Sequence, residues 1–168
     1  MRRRLGLAGA ALLAALVLVG GSAAMARAQG GVVQGRVVLA PGEYTAPSGT
    51  FGLTLQLIIA HNMHINGPQA GRAGLIPTEV RFLAPAGVDI DRVRFPAPQR
   101  VKVSFSPQPI EVYSDRLEIT ASVRIGPRVR PGILNLVAQV SYQACDNNVC
   151  HMPQTLELPF TLAVVAKP

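Results

Sequence analysis

After residue 28 basic residues never cluster, and aromatic side chains make up only 5% of the chain. Scattered arginines without aromatic interleaving leave no electrostatic footprint for nucleic acid. There is no Gly-x-Ser-x-Gly elbow, no Walker loop and no His-Glu-x-x-His pair, so the usual hydrolase, nucleotide and zinc-peptidase chemistries find no support. Asp89 and Asp91 alternate along an expected strand edge; they read as solvated carboxylates, as do Glu111, Asp115 and Glu118. After residue 28 no stretch holds a helical period over three turns, and no apolar run is long enough to cross a bilayer. Cysteine occurs only at positions 145 and 150, far from the N-terminus, so a lipid-modified N-terminus is not expected.

What the sequence does have begins with a leader. Arg2, Arg3 and Arg4 precede an uncharged Leu/Ala/Val-rich run from Leu5 to Gly20, then a small-residue stretch ending in Ala26-Arg27-Ala28. This is the layout of a secretory signal peptide over residues 1–28, with cleavage expected before Gln29. The alternative is an uncleaved N-terminal anchor. Arg3-Arg4 also fits a twin-arginine signal, although ordinary export signals carry such pairs too. The formal charge of +7 overstates the mature protein. Four of the 16 basic residues (Arg2, Arg3, Arg4 and Arg27) lie in the leader, leaving 12 against nine acidic ones, a net +3.

Residues 29–168 read as one domain of ordinary size without internal repeats. Fourteen prolines and 16 glycines punctuate the chain and favour many turns over helices. Eight β-patterned segments lie between them: Val33–Leu39, Phe51–Ala60, Thr78–Ala84, Val88–Phe95, Arg100–Ser106, Arg116–Ile125, Ile133–Tyr142 and Thr155–Val165. Leu134, Leu136, Ala138, Val140 and Tyr142 share one face, and so do Leu156, Leu158, Phe160, Leu162 and Val164. The predicted fold is an all-β, two-sheet antiparallel sandwich. Its last two strands form a hairpin whose connection, Gln143 to Gln154, contains both cysteines.

Export would place Cys145 and Cys150 where disulfides persist, and their even count and close spacing suggest mutual pairing. Asp146, Asn147 and Asn148 suit a tight turn, because they bond their own backbone and tolerate left-handed conformations. Closing so short a loop stabilises by only about 2 kcal/mol, against about 4 kcal/mol for a bond between distant strands. That favours an exposed, reactive bond open to a partner thiolate. A lone pair in an exported domain is nevertheless more often a structural bond than a redox centre, so spacing alone favours the structural role, and Cys-x4-Cys is not the thioredoxin spacing. His151 follows Cys150 and could stabilise a thiolate, or be an ordinary loop histidine. Pro153 stiffens the loop exit, and Met152 offers an apolar contact for a partner.

At these residues the sequence resembles the N-terminal periplasmic domain of DsbD-type thiol:disulfide interchange proteins, from about Phe51 to Val165. Tyr142-Gln143-Ala144-Cys145, then Cys150 and Pro153-Gln154, resembles that family's Tyr-Gln-x-Cys…Cys-x-x-Pro signature. His61-Asn62-Met63-His64-Ile65-Asn66, Leu75-Ile76-Pro77-Thr78 and Arg94-Phe95-Pro96-Ala97-Pro98 follow the family pattern in order. The resemblance implies an immunoglobulin-like sandwich with Cys145 and Cys150 as a redox pair at one end. It implies Phe95 as a residue capping the pair, and His64 and Met63 as neighbours. It also implies partners: a membrane-embedded or thioredoxin-like thiol reductant as donor, and oxidised periplasmic proteins as acceptors. Full-length members fuse this domain to a membrane region and a thioredoxin-like domain. This chain carries neither, so a stand-alone domain is expected, with no membrane span after signal cleavage and its donor on another protein. Histidines at positions 61 and 64 replace aromatic residues of some members.

Two other readings compete. One is a non-enzymatic immunoglobulin-like binding module with a structural disulfide. The other is a metal site from Cys145, Cys150, His151 and His64 or Met152; thiolate and thioether ligands would suit Cu(I), but the spacing fits no defensible zinc or blue-copper pattern. No metal and no cofactor is therefore expected.

Overall fold

The computed structural model describes residues 31–166, so the expected leader over residues 1–28 lies outside the described residues. Twelve strands and one 3-10 turn at Ala70–Ala73 make up the described elements. The first sheet contains β1 (Val33–Leu39), β3 (Phe51–Ile59), β9 (Arg116–Ile125) and β6 (Val88–Arg94), in the order β1-β3-β9-β6. The second contains β2 (Tyr44–Thr45), β12 (Gln154–Val165), β10 (Gly132–Tyr142) and β5 (Glu79–Leu83), in the order β2-β12-β10-β5. Neighbours in both sheets are antiparallel except the short β2–β12 pair, which is parallel.

Alternation drives the packing. Leu53, Leu55, Leu57 and Ile59 of β3, with Leu117, Ile119, Ala121, Val123 and Ile125 of β9, present one buried face. Leu136, Ala138, Val140 and Tyr142 of β10, with Leu156, Leu158, Leu162 and Val164 of β12, present the other, and all belong to a single core. Each fully buried aliphatic side chain of this size contributes about 1.5–3 kcal/mol of burial free energy. Gly35 lets β1 close against the second sheet. A Cβ there would lie 2.5 Å from Leu57 Cδ2 and 3.3 Å from Leu158 Cδ1. The architecture is an immunoglobulin-like β-sandwich.

A third sheet, β11-β4-β8-β7, closes one end. It comprises β11 (Ala144–Cys145), β4 (His64–Asn66), β8 (Ile110–Ser114) and β7 (Gln99–Val101). The β3–β9 ladder runs into the β4–β8 ladder across two bends, where Asn62 (φ 61°) and Asp115 (φ 59°) take left-handed conformations. Asn and Asp are the side chains that accept this conformation most readily. The expected strand Arg100–Ser106 is only partly realised. Pairing stops at Val101, and residues 102–109 leave the sheet as an arm bounded by Pro107 and Pro109. Proline cannot donate to a ladder, which accounts for the break.

Candidate functional site

The β10–β12 hairpin holds strict register from Gly132↔Val164 to Tyr142↔Gln154, and its connection carries the cysteines. Beyond Tyr142 the chain crosses to the third sheet. Ala144 pairs with Ile65 and Cys145 with His64. Cys145 and Cys150 form a disulfide with Cα atoms 4.0 Å apart. The turn between them is held by Asp146, whose Oδ1 accepts the N–H groups of Asn148 and Val149 at 2.7 and 2.8 Å. Asp146 N–H donates to the Val149 carbonyl at 3.0 Å, and His151 N–H to the Ala144 carbonyl at 2.8 Å. Side-chain bonding thus makes the turn; none of residues 146–148 is left-handed.

The bond is not uniformly exposed. Cys145 is 0% exposed, whereas Cys150 is half-buried. The expectation of an exposed bond therefore applies to one sulfur, because pairing with β4 draws Cys145 into the third sheet. Around Cys150 the loop is open: Val149 is 54% and Met152 82% exposed. His151 is exposed, and its carbonyl accepts from Gln143 Nε2 at 3.1 Å.

The two faces of the third sheet differ. Ile65, Tyr113 and Ala144 join the main core. Alternation puts His64 and Asn66 on the opposite face, with His64 registered between Cys145 and Ser114. Val103 of the arm packs with Ile110 and Val112 in a separate small core. His64 is 6% exposed and its Nε2 has no hydrogen-bond partner. Burial pushes its pKa below the ordinary value, opposed by the Asp146 carboxylate. The Asp146 pKa is lowered, first by the two N–H groups it accepts and then by His151 and His64. Asn66 Nδ2 donates to the Ile76 carbonyl at 2.9 Å, while Thr78 Oγ1 donates to the Asn66 carbonyl at 2.6 Å. The Leu75–Thr78 segment is thereby tied to this face.

Of the residues expected near the pair, the structure brings His64 and His151 to it. Met63 packs against the main core instead, one step out of phase with His64. Phe95 also lies elsewhere. Its ring stacks on Tyr113 with centroids 6.2 Å apart, and the Tyr113 hydroxyl donates to the Pro96 carbonyl at 2.7 Å. Tyr113 is on the core-facing side of β8, away from the side His64 shares with Cys145. The segment that reaches the cysteine turn is the 102–109 arm: Ser104 N–H and Oγ both donate to the Asn147 carbonyl, at 3.2 and 2.9 Å. Phe105, next in the chain and 37% exposed, is a residue that sequence reading missed. The signal was an isolated apolar side chain before a Pro-x-Pro break.

Among the described residues, no group of three or more His, Cys, Asp or Glu side chains is arranged to hold a metal ion.

The Cys145–Cys150 disulfide, with one buried and one half-buried sulfur, thus sits on the sheet that closes one end of the immunoglobulin-like sandwich. Residues 28–162 match the family described as thiol:disulfide interchange protein DsbD, N-terminal, and the chain belongs to that family. A search of curated proteins gave no match. Among solved structures, the reduced DsbD N-terminal domain of Neisseria meningitidis is 16% identical with a TM-score of 0.42, covering 77% of this chain and 85% of its own. A yeast GGA1 GAE domain is 13% identical with a TM-score of 0.44, covering 80% and 94% respectively. A family 123 glycoside hydrolase from Clostridium perfringens is 9% identical with a TM-score of 0.39, covering 82% of this chain and 28% of the enzyme.

Proposed function

We propose that this protein shuttles reducing equivalents in the periplasm through Cys145 and Cys150. It accepts electrons from a membrane-embedded or thioredoxin-like thiol donor and delivers them to oxidised client proteins. Residues 1–28 serve as its export signal, and residues 29–168 act as the exchange domain. The observation that carries the reading is the unequal burial of the two sulfurs in a chain of this family. Nucleophilic attack on a disulfide requires access to one sulfur and a leaving thiolate at the other. Half-exposed Cys150 is the sulfur a partner reaches; Cys145 leaves, and later resolves.

Docking draws on the apolar flank around Cys150. Val149 and Met152 project from the loop. Ser104 ties the 102–109 arm to the turn, and the next residue, Phe105, is the side chain we assign to shield the bond until a partner displaces the arm. Full burial of Cys145 is the one observation favouring a purely structural bond, and the accessibility of Cys150 opposes it.

The test is trapping. Cys145→Ala, which leaves Cys150 free, should accumulate mixed disulfides with client proteins and with a thioredoxin-like donor. Cys150→Ala should trap neither. Equal trapping by both variants, or none by either, would remove the reading.

A further inference from the structure

The third sheet buries an imidazole that neither the fold nor the disulfide employs. His64 is 6% exposed, Nε2 is sealed from solvent, and nothing donates to it or accepts from it. A buried polar atom without a partner is disfavoured unless another state of the molecule supplies one. Such a state follows directly from the register. His64 lies opposite Cys145 on the β4–β11 ladder, and side chains so paired have Cβ atoms about 4.5–5.5 Å apart. In the disulfide form Cys145 Sγ carries no proton. In the dithiol form it becomes an S–H donor on the residue paired with His64, whose Nε2 lacks a partner.

We propose that His64 handles the Cys145 proton during exchange, with its Nε2 accepting the Sγ–H proton as Cys145 resolves a mixed disulfide and returning it when the bond is reduced. This rests on the proposed exchange function and deepens it. Cys150 thiolate first attacks a client sulfur; the client S–S bond breaks and its other sulfur leaves with the electron pair. A Cys150–client disulfide now exists. Cys145 passes its proton to His64 Nε2 and attacks Cys150 Sγ. The Cys150–client bond breaks, its electron pair leaves on the client sulfur, and the Cys145–Cys150 bond forms. Two electrons have moved to the client, and the imidazolium passes its proton to the departing client thiolate; when the bond is reduced His64 takes up a proton again and returns it to Cys145 Sγ.

The surroundings suit this role. Burial keeps the imidazole neutral and ready to accept, while the Asp146 carboxylate one residue beyond Cys145 favours the imidazolium that results. On β8 the residue facing His64 is Ser114, whereas titratable Tyr113 and Glu111 alternate to the other side. Asp115 lies just beyond the end of β8, His61 on the turn before β4 and His151 beyond the cysteine turn, all three exposed. A base with a pKa near or below neutrality, next to a thiol, is matched to proton transfer at physiological pH.

The experiment uses the reduced protein and one equivalent of 5,5′-dithiobis(2-nitrobenzoate), followed by stopped-flow absorbance. Attack by Cys150 releases the first thionitrobenzoate, and resolution by Cys145 releases the second. In His64→Gln and His64→Phe the first phase should stay within about twofold of wild type, and the second should slow about tenfold or more at pH 7. The wild-type second phase should level off above the His64 pKa, while the variants keep climbing with pH. A second phase with wild-type rate and pH profile in both variants overturns the proposal. Should neither variant fold, Asp146→Asn keeps the oxygen that holds the turn but removes the charge. The inflection should then move to lower pH, and an unmoved inflection overturns the proposal. Absence of both phases in wild type would sink the exchange reading itself, and the role of His64 with it.

Discussion

Ser104 and Asn147 are joined twice, with the backbone N–H and the hydroxyl of Ser104 both donating to the Asn147 carbonyl. A 102–109 arm from one side of the third sheet is thereby fastened to the turn between the cysteines. The fastening is made of exposed hydrogen bonds, which contribute only about 0.5–1.5 kcal/mol each. An arm held so lightly can be lifted by a docking partner, which is what a shield over a reactive bond requires.

Removing the shield should therefore matter more than removing the residue first expected to cap the pair. Phe105→Ala should speed reduction of the disulfide by dithiothreitol about fivefold, the rate equivalent of roughly 1 kcal/mol, with little change in stability. Phe95→Ala should leave that rate alone. Its ring is half-buried against Tyr113 and the main core, so the variant should lose about 2 kcal/mol of stability. The reverse pattern, in reduction kinetics and denaturant melts, would return the capping role to Phe95.

The Thr78 hydroxyl should prove a fastener for the same face. It is 1% exposed and donates to the Asn66 carbonyl. Thr78→Val keeps the shape and leaves that buried acceptor short of a donor, at a cost of about 1–2 kcal/mol. Thr78→Ser should recover most of the loss. Urea titrations with unchanged m-values measure both; a Val variant as stable as wild type would show that the bond contributes nothing.

Stability should also fall in mild acid because of His64. Its folded pKa lies below its ordinary value, near 6.5 in an unfolded chain. Between those two values the unfolded state binds a proton that the folded state refuses, so stability declines as pH drops from about 6.5 towards the folded pKa. His64→Phe should flatten that part of the curve. An identical slope in wild type and variant would assign the acid sensitivity elsewhere.

The sandwich was legible in the sequence because its strands alternate cleanly. Leu134 to Tyr142 and Leu156 to Val164 show their buried face without ambiguity, and the hairpin joining them fixes where the cysteines must sit. The third sheet was not legible, for a physical reason. Its strands are two to five residues long and lack a single polar face, since β8 buries Ile110 and Val112 on one side and Tyr113 on the other. Such segments carry no period to read. Long-range pairing alone brings His64 opposite Cys145, and the pairing of β8 decides that Phe95 stacks on Tyr113 while Ser104 reaches the cysteine turn. The residues of the Cys-x4-Cys loop were therefore readable in order, but their unequal burial was not.

The most direct test is the reduction potential of the Cys145–Cys150 pair, obtained by equilibrating the purified protein in glutathione or dithiothreitol buffers and counting free thiols. Reversible two-electron titration with a potential well above about −300 mV is expected of a shuttle. A potential below about −300 mV, beyond the reach of physiological thiols, would mean that the two sulfurs stay bonded for the life of the protein.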